Sequence, residues 1–481
     1  MEDDLPVVDL DERVQGTGEL QWADFSLPVP TFSLHHRKFD SSGAWAFSGS
    51  IRRPDSATRA QLGRSGGICR LIGRTDAGRD IVIPELHLSK IEWSDLGVVS
   101  AGAYQVYWGP DRLAFEPVKQ DIVVHLSNND IAQPPFRLLE TRWDGQVEGR
   151  FEQPPFAITS ALGLVEFSKH YTFEKVDVVG MASTVQIARP VISIQLSPEN
   201  CTRDVHHLFA RVSDELGDLV QLISFLSRHR VSWYRMASMA WGANPHGPMR
   251  IVESEFSRTG GGSGREAYLE RLVNPFALAP NGLDELLKNF QALAVKEALA
   301  HAIGHVIAAV RQGAIESQMV SAFTAVEAVV SAVGEQDGSA YAIRGNAFKL
   351  LQSRVRDLVR AFAAERQLDA VATNSILGKV PALQRRPIIP RLVEMIRRHS
   401  VTWKDLWPSG ADLEEGLRAA YRRRNNLIHA GILQDGYMAA VDRHRMHALA
   451  ERLIFSLLGG RDEWLDESAY GHCEYLTASP L

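Results

Sequence analysis

Cysteine is scarce in this chain of 481 residues: Cys69, Cys201 and Cys473 are the only three, far apart and in no CxxC pairing. That spacing argues against a disulfide framework or a thiolate zinc site and favours a reducing compartment. Long apolar runs are missing too. No stretch approaches the ~18 consecutive apolar residues of a membrane span. The acidic start MEDDLPVVDLDE lacks the basic and apolar regions of a secretory signal. The expectation is a cytoplasmic protein with no membrane segment. Positive charge is not in excess, with 52 Lys and Arg against 58 Asp and Glu, a net of −6. A globally basic nucleic-acid binder is thereby excluded, but a local basic patch is not. Several catalytic fingerprints are absent as well: GxxxxGK[ST], GxSxG, GxGxxG and HExxH.

What is present is an ordinary globular composition, 45% hydrophobic and 23% charged, on a chain long enough for two or three domains. Up to about Leu196 the sequence reads as short strands between turn signals, such as AWAFSGSI, GRDIVIPELHL, AGAYQVYWG and PVISIQL. A helical period follows over about 203–229, then two more strand-like runs, VSWYRMASMAW and MRIVESEF. Residues 1–257 are read as a β-rich sandwich or barrel-like sensing or regulatory region. The segment 258–265, in RTGGGSGRE, reads as a linker or loop, and 266–481 as a helical bundle. The fold class expected is α+β multidomain, β-rich first and all-α last. Helices are predicted near 265–272, 283–311, 315–333, 340–364, 390–399, 412–430 and 437–458, several with core-facing apolar spacing.

The stretch YRRRNNLIHAG, Tyr421 to Gly431, concentrates polar chemistry near the end of one of these helices. At about 100° per residue, Leu413, Leu417, Ala420, Tyr421, Leu427 and Ile428 share a stripe with Arg424 near its middle. Arg422 and Arg423 point elsewhere, as field and surface residues. A guanidinium facing a core stripe must escape to water or find an acceptor, because a buried unpaired charge costs several kcal/mol. Asn425 and His429 are four residues apart on an adjoining face, and Gly431 is placed to end the helix. An imidazole that titrates near neutrality beside an anion-binding guanidinium suits a phosphodiester. From 343 to 400 there are 12 Arg and Lys against 4 Asp and Glu, a local net of +8 that can attract a polyanion.

At these residues the chain resembles HEPN ribonuclease domains. RNNLIHAG contains that family's arginine, four to six intervening residues, then histidine, with a polar residue, Asn425, directly after the arginine. Arg422, Arg423 and Arg424 all satisfy the permitted spacing to His429. The helix MVSAFTAVEAVVSAV looks like the HEPN helix that carries a glutamate in a small apolar run, here Glu327. The resemblance covers about 283–458, and the β-first, HEPN-last layout is similar to ApeA-type anti-phage proteins. It implies cofactor-free, metal-independent cleavage of cellular RNA, tRNA among the candidates, by a homodimer whose two motifs form a composite cleft, in response to a phage-derived trigger. His429 would be the general acid or base, Arg424 the phosphate holder, Asn425 an orienting group, and Glu327 a bidentate partner of Arg424 in the free protein. Attack by the 2′-hydroxyl would leave a 2′,3′-cyclic phosphate. The alternative is a non-catalytic HEPN-fold module that binds RNA or a protein, with Arg424 and Glu327 as a structural pair.

Other candidates rank lower. HAIGH, His301 to His305, has zinc-helix spacing without the glutamate or an evident third ligand, and reads as structural or surface histidines. RHRMH, Arg443 to His447, reads as a solvated helix face. His206 and His207 start a helix with no ligand cluster, and Trp22, Trp45, Trp93, Trp108 and Trp143 read as packing residues of the β region.

Overall fold

Alternating apolar positions build the first unit. In the computed structural model, residues 13–465 are described except 37–44, 53–54, 57–66, 94–95, 128–130, 132–138, 142–146, 150–155, 179–180, 244–249, 259–270, 279–280, 312, 408–411, 432 and 434. Cys473, Trp143, the N-terminal MEDDLPVVDLDE, most of the 258–265 linker and most of the helix expected near 265–272 lie outside the described residues.

Six antiparallel strands close on themselves: β1 (Val14–Gln21), β2 (Ser26–His36), β3 (Trp45–Arg52), β4 (Ile68–Thr75), β5 (Asp80–Trp93) and β6 (Leu96–Ala103). The order β4-β1-β2-β3-β6 is completed by β5, which pairs with both β4 and β6, so the sheet is a barrel without a free edge. Inward positions such as Leu20, Leu34, Phe47, Leu71, Ile83 and Val99 fill it. Where β1 crosses β4 the backbones approach closely: a Cβ on Gly16 would lie 2.3 Å from the Arg74 carbonyl oxygen, and the β1–β2 register shifts between Gly16 and Gly18.

The start of β5 also leads out of the barrel. Ile81 and Val82 pair with Trp108 and Tyr107 of β7 (Gln105–Trp108). From there the sheet continues through β15 (Arg250–Arg258), β14 (Trp233–Gly242), β8 (Pro117–Leu126), β13 (Met181–Leu196), β12 (Gly163–Val178) and β11 (Phe156–Thr159). A small pair, β9 (Leu139–Thr141) and β10 (Val147–Gly149), stands apart. Helix α1 (Val205–Leu226) packs on this second sheet, its Phe209 ring against Tyr107 and Phe256. Trp45 and Trp108 meet edge to face inside the unit, and Trp22 stacks on Phe25.

The helical unit contains α2 (Gly282–Ala292), α3 (Lys296–Arg311), α4 (Ile315–Asp337), α5 (Gly345–Glu365), α6 (Ala370–Lys379), α7 (Ile388–Arg398), α8 (Leu413–Ala430) and α9 (Gly436–Leu457). By spatial clustering the chain divides into Met1–Ile223, Arg230–Leu269 and Ala279–Asp284 on one side, and Ser224–His229, Glu270–Leu278 and Glu285–Leu481 on the other. The layout is an N-terminal barrel and sheet followed by a C-terminal helical bundle. Helix α4 is central, packed against α3 and α9 and touched by α7 and α8. It is also the described helix long and apolar enough to cross a membrane by length and composition, and half of that window is buried against its neighbours.

Two details differ from the sequence expectation. The helix expected over 283–311 is two helices, because Leu293 closes α2 with bonds to Asn289 and Phe290 and Lys296 reopens the chain as α3. Helix α6 was not foreseen; it begins at Asp369, whose side chain accepts from the Ala372 amide. The amphipathic α5 buries Phe348 and Ala363, while Leu350, Leu358 and Phe362 remain exposed.

Candidate functional site

Helix α8 positions the motif. Leu413, Leu417, Ala420, Tyr421 and Leu427 are buried, and Gly431 in the left-handed region (φ 65°) stops the helix, its amide donating to the Leu427 carbonyl. His429 stands exposed in the last turn, with Asn425 exposed one turn earlier. Ile428, expected on the buried stripe, is 45% exposed. The stripe therefore ends at Leu427.

Arg424 lies at the boundary between stripe and solvent. One guanidinium nitrogen donates to Glu327 Oε2 on α4 at 3.2 Å, and the other donates to Asn425 Oδ1 at 3.1 Å. The contact with Glu327 is single-point where a bidentate pair was expected, and the Arg424 Nε is buried with no hydrogen-bond partner. Burial pushes the Glu327 carboxyl above its ordinary range, and Arg424 pulls it back only in part.

The adjacent arginines are not equivalent to it. Arg423, expected at the surface, donates from Nε to Asp442 Oδ2 at 2.5 Å and from a terminal nitrogen to Oδ1 at 2.9 Å. Asp442, on α9, is fully buried, so this bidentate pair ties α8 to α9. Arg422 is exposed. Of the three, Arg424 alone reaches Glu327 among the described residues.

Two further features were not expected from the sequence: the unpartnered hydroxyl of Tyr421, itself expected on the buried stripe, and Arg391. Tyr421 is 6% exposed, sets its ring edge-on to Phe323 of α4, and has a hydroxyl with no hydrogen-bond partner. Burial, then Glu327, pushes that phenol upward, with Arg424 and Arg391 opposing. Arg391, on α7, is 8% exposed and has neither a hydrogen bond nor an ion pair among the described residues. Its sequence signal is helical spacing: Arg391 sits one turn before Met395 and beside Leu392 on the apolar face of α7.

RHRMH is not a solvated face. Met446 and His447 are buried, and Arg445 stacks over Trp407. His447 faces Glu451, which takes a bidentate pair from Arg228 at 2.6 and 2.7 Å. Burial holds the His444 imidazole down to about 4 and that of His447 below its usual value. His301 is exposed and His305 half-buried on α3, and no group of three metal-binding side chains occurs among the described residues. His206 packs its ring on Tyr107 at 4.2 Å, and the His207 amide is capped by Asp204.

The basic segment is partly neutralised. Arg385 pairs with Glu335, Arg386 with Glu394, and Arg398 with Asp337 and Glu394. Lys349, Arg354, Arg356 and Arg397 have no ion pair among the described residues. Compared with known proteins, the chain matches no family model, no curated protein and no solved structure.

Proposed function

We propose that the helical unit is a HEPN-like endoribonuclease that cuts cellular RNA, with the β-rich region sensing a trigger or restraining the enzyme, in a bacterial response to phage. The observation that carries this reading is the arrangement on α8: an exposed His429, with Arg424 and Asn425 on the preceding turns and Glu327 holding Arg424 in the free protein. His429 takes or gives the proton of the 2′-hydroxyl or the leaving oxygen, a role worth about 10²–10⁴-fold. Arg424 exchanges the single-point Glu327 contact for the scissile phosphate and stabilises its developing charge. The Asn425 oxygen already accepts from Arg424, which leaves its amide nitrogen to donate to the phosphate.

One chain offers one such histidine. Two copies facing each other supply both an acid and a base, so the active form in this reading is a homodimer with a composite cleft. tRNA is a substrate to test first. In purified full-length protein with labelled tRNA, His429→Ala and Arg424→Ala are expected to lose at least about 100-fold in cleavage while staying folded. Full activity in both variants removes the assignment.

The Arg424–Glu327 contact supports a second reading, a non-catalytic module that binds RNA or protein and uses this pair for structure. Binding of tRNA without cleavage, even after exposure to candidate triggers, favours it.

A further inference from the structure

On the facing helices α7 and α8, three hydrogen-bond donors that share the surroundings of Tyr421 lack acceptors. The Nε of Arg391, the Nε of Arg424 and the hydroxyl of Tyr421 are each buried and unpartnered. They come from two helices, α7 and α8, and Glu327 reaches in from α4. The Tyr421 hydroxyl lies in the electrostatic fields of Glu327, Arg424 and Arg391 together. Among these groups the formal charge is +2 from the two arginines and −1 from Glu327, and the Glu327 contact touches only Arg424.

An arginine that is more than nine-tenths buried as a residue, with its Nε buried and unpartnered and no ion pair among the described residues, is costly unless something completes it. Arg385 and Arg386 repel Arg391, and Glu335 opposes them without making an ion pair to it. All three orphans are donors, so an apolar ligand or a cation cannot satisfy them. An oxyanion can, since tetrahedral oxygens accept several N–H and O–H donors at once and guanidinium is the side chain best matched to that geometry.

We propose that Arg391, Tyr421 and Arg424 form a buried oxyanion subsite between α7, α8 and α4, which takes the backbone phosphate that Arg424 holds. The assignment of that phosphate to RNA rests on the ribonuclease reading; the oxyanion subsite does not. Glu327, whose side chain is about a third exposed at 32%, marks the side from which the anion enters. As the phosphate arrives, Arg424 leaves the Glu327 carboxylate and the anion bridges it to Arg391. Arg391 and Tyr421 thus act as phosphate-holding residues and are distinct from the proton-transferring His429.

The test measures thermal unfolding of the full chain with inorganic phosphate against chloride at equal ionic strength, for the unaltered protein, Arg391→Met and Tyr421→Phe. Phosphate is expected to raise the unfolding temperature of the unaltered chain, with at least tenfold weaker phosphate binding in Arg391→Met and a smaller weakening in Tyr421→Phe. Both variants are expected to be at least as stable as the unaltered chain without phosphate, because each removes an unsatisfied buried donor. Equal phosphate responses in all three proteins, or no response in the unaltered chain, overturn the subsite. So does a large stability loss in Arg391→Met without phosphate, which would show the guanidinium already held by protein contacts. If phosphate binding depends on Arg391 while tRNA is never cut, the subsite stands and the ribonuclease reading falls.

Discussion

Helix α8 makes two seams, and adjacent arginines serve them differently. Against α9, Arg423 closes a bidentate pair on the fully buried Asp442. Against α4 and α7, Arg424 makes one 3.2 Å contact to a Glu327 whose side chain is about a third exposed and leaves its Nε unpaired, beside the unpartnered Arg391 Nε and Tyr421 hydroxyl. The first seam closes its carboxylate, although the Nε of Arg445 beside it is also buried without a hydrogen-bond partner. The second is under-satisfied, and a native structure tolerates that where a ligand completes the network. Neighbours in sequence thus differ: Arg423 ties α8 to α9 through two bonds, and Arg424 holds Glu327 through one.

The contrast can be broken most severely at Arg423. Arg423→Ala leaves the Asp442 carboxylate buried with only the longer 3.9 Å contact to Arg445, and a loss of about 3–5 kcal/mol in unfolding free energy is expected in urea titration. Arg424→Ala removes a partly exposed single contact from a carboxyl whose raised pKa already eases its protonation, so its cost is expected to stay below about 1 kcal/mol. Similar losses from both substitutions would erase the distinction between the seams.

A smaller effect separates the α9 side by pH. His444 is held neutral down to about 4, mainly by burial and then by His447 and Arg443. Because its folded-state pKa is depressed, the stability it contributes is present above the unfolded value near 6.5 and is lost as pH falls through about 4. The expected loss is about 3 kcal/mol between pH 7 and pH 4. His444→Gln is expected to flatten that part of the stability profile, measured by urea midpoints at each pH. An unchanged slope would show that other groups dominate.

Much of the fold was legible because it rests on local periodicity. Alternation marked strands such as β3 and β14, and the switch to a helical period marked the bundle. The limits of α8 followed from Gly431, and the inward lean of Arg424 from angular arithmetic. What stayed hidden depends on partners distant in sequence. Nothing near Arg423 announces Asp442, 19 residues on, and nothing in RHRMH announces that Arg228, 223 residues before Glu451, closes a buried pair there. Barrel closure through β5 and β6 is likewise a property of pairing and not of either strand alone. Arg391 differs from these, because its signal is local: α7 carries the same anomaly of a charge on an apolar face.

The central claim is that His429 and Arg424 perform metal-independent transesterification on RNA. Its most direct measurement is end-group analysis of tRNA incubated with the full-length protein in chelator, alongside an oligonucleotide lacking the 2′-hydroxyl. The account predicts products ending in 2′,3′-cyclic phosphate that disappear with His429→Ala, and an uncut 2′-deoxy oligonucleotide. Cleavage of the 2′-deoxy substrate, or cyclic-phosphate products undiminished in His429→Ala, would contradict it.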